Sequence, residues 1–173
     1  MIVRKIQKEL AELAREYKVI TITGPRQSGK PTLARMQFPD YAYVNMESPE
    51  IRQLAEQDAR EFLKRHPAPL IIDEIQRLPM LLSYIQVKCD QSRQKGQYIL
   101  TGSHQPRLKA EITQSLAGRT AILQLYPLSL EELAEAGIRL DRDEFLFRGF
   151  MPQLYAEELD VSRFYRNYYM TYV

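Results

Sequence analysis

The sequence has little cysteine and almost no net charge, and each shortage excludes a class of protein. Cys89 is the only cysteine among 173 residues, so no disulfide can form within the chain, and a reducing cytoplasm is the expected location. The 24 basic and 22 acidic side chains leave a formal net charge of +2. So even a balance gives no electrostatic support for binding to nucleic acid or to a membrane surface.

Long apolar runs are also missing. No stretch approaches the roughly 18 consecutive apolar residues of a membrane-spanning helix. The first residues, MIVRKIQKELAELAREYK, carry charges throughout and lack the apolar core of a signal peptide. With 45% apolar and 27% charged residues, the composition is that of a soluble globular protein without internal repeats.

The chain alternates strand-like and helix-like segments. Short apolar or β-branched runs predict five strands, at residues 19–23, 41–45, 69–73, 98–102 and 120–125. Helix-compatible sequence lies between the first four of them, and SLEELAEAG carries a capping box at Ser129 and Glu132. This alternation is typical of a mostly parallel α/β sheet covered on both faces, whose ligands bind beyond the carboxyl ends of the strands.

The segment GPRQSGKPT, residues 24–32, nearly matches the phosphate-binding loop pattern G-x-x-x-x-G-K-[ST]. The glycines would let the backbone surround phosphates, and the lysine would reach the β- and γ-phosphates. The candidate nucleotide-binding residues of this loop are Gly24, Pro25, Arg26, Gln27, Ser28, Gly29, Lys30, Pro31 and Thr32. A glycine-containing turn between a strand and a helix is the alternative interpretation.

Polar residues end two further strands. Asp73 and Glu74 follow the third strand in IIDEIQ; an aspartate there can hold magnesium, and the glutamate can polarise the attacking water as a general base. Thr101 and Ser103 end the fourth strand, where a hydroxyl could contact the γ-phosphate or orient that water. Each feature alone has a simpler interpretation, as exposed acids or a common Thr-Gly strand end. Together they indicate a nucleotide site.

These segments resemble the AAA-type P-loop ATPases of bacteria and archaea, in which an N-terminal ATPase domain precedes a C-terminal domain of unknown function. The matching segments are TGPRQSGK, Glu47 in NMESPE, LIIDEIQRLP, YILTGSHQ, SLAGRTAILQLYPLSLEEL and RGFMPQLY. The resemblance implies a three-layer P-loop NTPase fold with strand order 5-1-4-3-2, ATP or ADP with Mg²⁺ as ligands, and ATP hydrolysis. In this order the fourth strand lies between the strands that lead to Lys30 and to Asp73.

The resemblance also implies domain boundaries and a contact between subunits. Residues 1–150 would form the ATPase domain, and residues 151–173 would begin a linker or second domain of a longer protein. Arg119 in SLAGR could complete a neighbouring subunit's site as an arginine finger, or it could pair with local acids. Arg26 and Gln27 are expected to shape the loop or to sense the nucleotide. His66 and His104 have no partners at metal-binding spacing.

Pro31 stands where the phosphate-loop pattern requires a hydroxyl for magnesium. Proline lacks both that hydroxyl and a backbone N–H, and it disfavours α geometry at Lys30, although a first helical turn tolerates it. Thr32 lies about 100° further around the helix and should not replace the missing ligand. Mg²⁺ would then be held more weakly, by phosphates, waters and Asp73.

Three functions therefore remain open. The first is an ATP-binding module whose hydrolysis is impaired by Pro31. The second is an interaction module that binds no nucleotide and acts through an unidentified protein partner. The third is a DNA-associated motor domain, for which the near-neutral charge offers no support.

Overall fold

The computed structural model describes residues 2–103 and 106–172, so His104 lies outside the described residues. Five strands form one parallel sheet in the order β2-β3-β4-β1-β5. This is the predicted order read from its other edge, and each predicted strand matches an observed one to within a residue at either end. The strands are β1 (Val19–Gly24), β2 (Ala42–Asn45), β3 (Leu70–Asp73), β4 (Tyr98–Ser103) and β5 (Thr120–Gln124).

Helices connect and cover the strands. Ser129 and Glu132 form the predicted capping box at the start of one of them, with backbone-to-side-chain bonds of 2.9 and 3.1 Å. The helices are α1 (Gln7–Glu16), α2 (Lys30–Gln37), α3 (Pro49–Gln57), α4 (Ala59–Arg65), α5 (Leu81–Asp90), α6 (Pro106–Leu116), α7 (Leu130–Glu135), α8 (Arg142–Arg148), α9 (Gln153–Ala156) and α10 (Val161–Tyr172), with a 3-10 turn at Ile75–Arg77.

The sheet has an apolar core on each face, because its central strands are buried on both sides. One core lies beneath α1 and α2 and contains Leu10, Ile20, Ile22, Leu33, Ile71 and Ile99. The other lies beneath α3 to α6 and contains Phe62, Leu70, Ile72, Ile85, Leu100 and Ile112. Alternate residues of one strand serve opposite cores, as the two-residue period of a strand requires. The result is the three-layer α/β/α arrangement of the P-loop NTPase fold.

The strand register brings the polar strand ends to one edge of the sheet. Gly24 at the end of β1 pairs with Ser103 at the end of β4, and Asn45 at the end of β2 pairs with Asp73. The loop after β1 and the acids at the end of β3 therefore lie at the same edge of the sheet, where parallel sheets bind their ligands.

None of the helices in the part of the chain that the structure describes combines the length and the apolar character that a membrane span requires.

Candidate functional site

The loop between β1 and α2 contains two glycines with different roles. Gly24 has φ +154°, and a Cβ there would lie 2.1 Å from the carbonyl oxygen of Leu125, so no side chain fits. Gly29 has φ +88° and is the N-cap of α2, but a Cβ there would meet nothing within 4 Å. Gly24 is therefore required by close approach of the chain, whereas Gly29 supplies a left-handed turn and leaves room in front of the helix.

Lys30 begins α2 and lies almost completely buried, with 3% of its surface exposed. Its Nζ donates to the carbonyl oxygens of Gly24 at 3.2 Å and of Pro25 at 2.7 Å. Burial lowers the pKa of Lys30, and the nearby carboxylates of Glu74 and Asp73 oppose that shift. The sequence predicted that Lys30 would reach a phosphate. In the structure, its ammonium contacts carbonyl groups of the loop itself.

Pro31 occupies the first turn of α2, which begins at Lys30 despite the following proline. The helix thus tolerates the proline, as expected, because the first N–H groups of a helix have no partner within it. Pro31 and the exposed Thr32 both line the crevice in front of the helix. The chemical consequence is limited to the lost hydroxyl and the lost N–H.

Asp73 ends β3 with its carboxylate buried and hydrogen-bonded on both oxygens. Thr101 Oγ1 donates to Oδ1, and the Tyr43 hydroxyl donates to Oδ2 at 2.8 Å. Burial, together with the hydrogen bond to Asp73, raises the pKa of the Tyr43 phenol well above its ordinary value. The structure therefore brings Thr101 next to Asp73, and it adds Tyr43, which the sequence did not single out.

Glu74 has an unusual backbone and a half-buried carboxyl group. Its φ of 56° is left-handed, a conformation that few non-glycine residues adopt. The side-chain amide of Gln76 donates to its Oε2. Burial raises the pKa of Glu74, and the bond from Gln76 acts in the opposite direction. A carboxylate with a raised pKa beside a crevice has the properties of a general base.

Gln76 reaches Glu74 because β4 has a glycine at the point of contact. A Cβ on Gly102 would lie 2.7 Å from Gln76 Oε1 and 2.6 Å from Leu108 Cδ2. The strand-ending Thr-Gly pattern thus makes room for the side chain that holds Glu74. Sequence inspection missed Gln76; its position two residues after Glu74, in a tight turn, was the available signal.

A cavity of about 870 Å³ opens in front of α2. Residues 26–33 form one wall, Glu47, Glu74 and Arg77 form a second, and residues 152–157 form a third. Arg77 and Glu47 make an ion pair of 3.1 Å. A cavity of this size is typical of small-molecule sites. Thr101, Ser103 and Asp73 are buried behind it rather than part of its lining.

Arg4 fastens the loop from behind. Its guanidinium donates to the Ser28 carbonyl at 3.0 Å, to the Tyr126 carbonyl at 2.6 Å and to the Pro127 carbonyl at 3.1 Å. It also pairs with the buried carboxylate of Glu132 at 3.1 Å. No local pattern predicts this role, because all four partners are distant from Arg4 in the chain.

Arg119 lies at the opposite end of the sheet from the loop. Val19 N donates to the Arg119 carbonyl at the start of β1, whereas the loop follows the end of that strand. The guanidinium pairs with Asp90 through two bonds of 2.6 and 2.9 Å. Within one chain Arg119 does not reach the crevice, so its role as a finger requires a second copy and stays a prediction.

Comparison with known proteins agrees with this geometry. A family model described as an AAA domain matches residues 16–134, which is more than half of the chain. Two uncharacterized mycobacterial proteins, from Mycobacterium tuberculosis and Mycobacterium bovis, are each 29% identical over 157 residues. That match covers 88% of this chain and 34% of each relative, so the chain spans about a third of their length.

Two solved structures share the fold at low sequence identity. The Walker-type ATPase PABY2304 of Pyrococcus abyssi superposes with a TM-score of 0.58 and 15% identity, over 88% of this chain and 65% of that one. The second is PH0952 of Pyrococcus horikoshii, a signal transduction ATPase with numerous domains and a tetratricopeptide repeat sensor. It superposes with a TM-score of 0.54 and 18% identity, over 87% of this chain and 28% of that one.

Proposed function

The chain belongs to the AAA-domain family of P-loop ATPases, and on that premise we propose that it binds adenine nucleotides at residues 24–32 and hydrolyses ATP poorly. The strongest support is one arrangement: the left-handed Gly29, the buried Lys30 and Glu74 line a single crevice, and the buried Asp73 ends the strand before Glu74. The choice of adenine follows from the family resemblance.

The phosphates would lie against the start of α2. Backbone N–H groups of the loop and the first turn of the helix supply positive potential there. Lys30 adds a mobile cation with three N–H donors, two of which account for its bonds to the carbonyls of Gly24 and Pro25. An ammonium that turns toward a phosphate exchanges these neutral acceptors for an anion, which strengthens its hydrogen bonds.

The residues present fit magnesium only in part. Among residues 2–103 and 106–172, no cluster of three or more histidine, cysteine, aspartate or glutamate side chains could hold a metal ion by itself. Magnesium sites on nucleotides, however, usually rely on phosphates, waters and one or two carboxylates. We assign that role to Asp73, whose carboxylate accepts hydrogen bonds from Thr101 and Tyr43. Magnesium, when bound, would neutralise charge on the phosphates.

Pro31 separates binding from hydrolysis. Its missing hydroxyl removes the side-chain ligand that P-loop enzymes use for magnesium, whereas the residues that bind phosphate remain. Glu74, whose pKa is raised by burial, is the general base in this proposal. We therefore expect that nucleotide affinity depends strongly on Lys30. We also expect slow ATP turnover, because Pro31 supplies no hydroxyl for magnesium.

Isothermal titration calorimetry with ADP and ATP tests the binding. The unmodified chain should bind both nucleotides, and Lys30→Met should weaken binding by at least about tenfold, the scale of one charged contact in a site. Lys64→Met is the matched control, because Lys64 is exposed and pairs only weakly with Glu61 at 3.7 Å.

If neither nucleotide binds to the unmodified chain or to Pro31→Thr, the proposal is wrong. That result would favour the second function, an interaction module built on a P-loop fold. If Lys64→Met and Lys30→Met weaken binding equally, the nucleotide binds elsewhere on the chain.

A further inference from the structure

The outer turn of the phosphate loop, Arg26 and Gln27, is contacted by the last helix of the chain. The Tyr168 hydroxyl on α10 donates to the Arg26 carbonyl at 3.4 Å. Gln27 lines the cavity in front of α2 and also a second cavity of about 360 Å³. The other walls of the second cavity include Phe164, Asn167 and Tyr168 of α10. The turn therefore lies between the candidate phosphate site and α10.

The rest of the loop is fastened to the body of the domain. Arg4 holds the Ser28 carbonyl at 3.0 Å, and Ser28 Oγ donates to the Pro25 carbonyl at 2.9 Å. Lys30 holds the carbonyls of Gly24 and Pro25. Between these points, Gln27 has φ +60°, a left-handed conformation that costs a non-glycine residue roughly 1 kcal/mol. The outer turn thus carries a strained backbone conformation between two fixed points.

Phosphate binding would act on this turn through Lys30. When the ammonium turns to a phosphate, it gives up bonds to the two carbonyls that immediately precede Arg26. The backbone of residues 24–27 then loses the two bonds that Lys30 makes to it. The Arg26 carbonyl belongs to that stretch, and its bond to Tyr168 is longer than the usual O–H···O range of about 2.5–3.0 Å, so a small rotation would break it.

Helix α10 is anchored close to, but not at, the contact. The Tyr165 hydroxyl donates to the Arg148 carbonyl at 3.0 Å, and a Cβ on Gly149 would lie 2.1 Å from that hydroxyl. Phe164 stacks on Tyr168 with ring centroids 6.2 Å apart. Tyr168 lies one turn beyond Tyr165, so the second half of the helix can respond to the loop while its first half stays in place.

We propose that Tyr168 couples the phosphate loop to α10, so that nucleotide binding at residues 24–30 releases the Arg26 carbonyl and loosens the second half of the helix. This regulation rests on the proposed nucleotide binding. Because coupling is reciprocal, removing the Tyr168 hydroxyl should also change nucleotide affinity. The hydroxyl stabilises the nucleotide-free loop, so its removal should tighten binding.

Hydrogen exchange measured by mass spectrometry, with calorimetry on the same samples, tests the coupling. Saturating ADP should speed amide exchange in α10 of the unmodified chain. Tyr168→Phe should show the faster exchange already without ADP, and it should bind ADP about two- to threefold more tightly, as expected for one weak neutral hydrogen bond. Tyr169→Phe is the matched control, because Tyr169 is the next residue and 63% exposed; it should behave like the unmodified chain.

Each other outcome has one meaning. If ADP binds but exchange in α10 does not change, the coupling is wrong and the nucleotide site stands. If Tyr168→Phe and Tyr169→Phe behave alike, Tyr168 does not carry the coupling. If calorimetry detects no ADP binding, the proposed function fails and the coupling fails with it.

Discussion

At the residue scale, the crevice contains groups that weaken the fold. Glu74 and Gln27 have left-handed backbone conformations, with φ of 56° and 60°. Burial raises the pKa of Glu74 and lowers the pKa of Lys30, which means that the fold disfavours the charged form of each. Strain and buried charge of this kind are retained where function needs them, because other residues would give a more stable protein.

Replacing Glu74 by glutamine should therefore stabilise the protein at neutral pH. A carboxyl whose pKa is raised by folding favours the folded state below its unfolded pKa, and that contribution is lost as pH rises through the folded value. At pH 7, above the ordinary pKa of a glutamate, ionisation therefore costs the folded state more free energy than the unfolded state, and the neutral amide removes that cost. Thermal denaturation should show a Tm higher by roughly 1–3 °C at pH 7, with no gain near pH 4.

Glu56→Gln is the control for that measurement, because Glu56 is an exposed residue of α3. It should leave Tm within about 1 °C at both pH values, the usual range for surface substitutions. A lower Tm for Glu74→Gln at pH 7 would mean that the carboxylate stabilises the fold, and its assignment as a strained functional group would be wrong.

At the element scale, the segment before α1 joins two parts of the domain that are far apart in sequence. Arg4 connects the phosphate loop to residues 126–127 and to Glu132 of α7. Lys5 N also donates to Glu132 Oε1, at 2.8 Å. The buried Glu132 carboxylate therefore accepts hydrogen bonds from both residues, and Arg4 connects the loop, the segment after β5 and α7.

Arg4→Ala should destabilise the domain and loosen the loop. It leaves Glu132 buried without its ion pair and removes the donors to three carbonyl groups, a loss of about 2 to 4 kcal/mol in the free energy of unfolding. Urea denaturation measures that loss. Lys5→Ala is the control: its pairs with Glu131 and Glu135 are largely exposed, so its effect should be much smaller. Equal losses would show that the contacts of Arg4 stabilise the domain no more than the exposed ion pairs of Lys5 do.

The sequence predicted the strands and the capped helix correctly, but it did not predict the side-chain contacts between elements. The five strands follow from apolar runs, and the capping box of α7 follows from Ser129 and Glu132, because both signals are local. Helix α6 was not predicted, and neither were Tyr43, Gln76 and Arg4. Each of these side chains acts on a partner that only the folded sheet brings near, so no spacing in the chain reveals it.

At the scale of the whole molecule, the two ends of the sheet have separate roles. The crevice lies at the carboxyl ends of the strands, and Arg119 lies at the opposite end, paired with Asp90. The order β2-β3-β4-β1-β5 could be anticipated only through the family resemblance, which also supplied the finger role. A finger at this position could serve only a neighbouring copy.

If Arg119 acts between copies, ATP turnover should depend on protein concentration. In the Pro31→Thr background, phosphate release per chain should rise with concentration, and Arg119→Ala should lower it by at least about tenfold. ADP affinity, measured by calorimetry, should not change. Asp90→Ala is the control, because it removes the same pair but keeps the arginine. Turnover that is unaffected by concentration and by Arg119→Ala would restrict Arg119 to its pair with Asp90.

The magnesium dependence of ADP affinity tests most directly whether Pro31 separates binding from metal placement. Calorimetry with and without Mg²⁺ should show ADP binding by the unmodified chain with little gain from the metal. Pro31→Thr should gain about tenfold or more, the usual effect of restoring a group that supports a metal site. Pro31→Ala restores the N–H without the hydroxyl and should not gain. The same magnesium dependence in the unmodified chain and in Pro31→Thr, or no ADP binding by either, would contradict this.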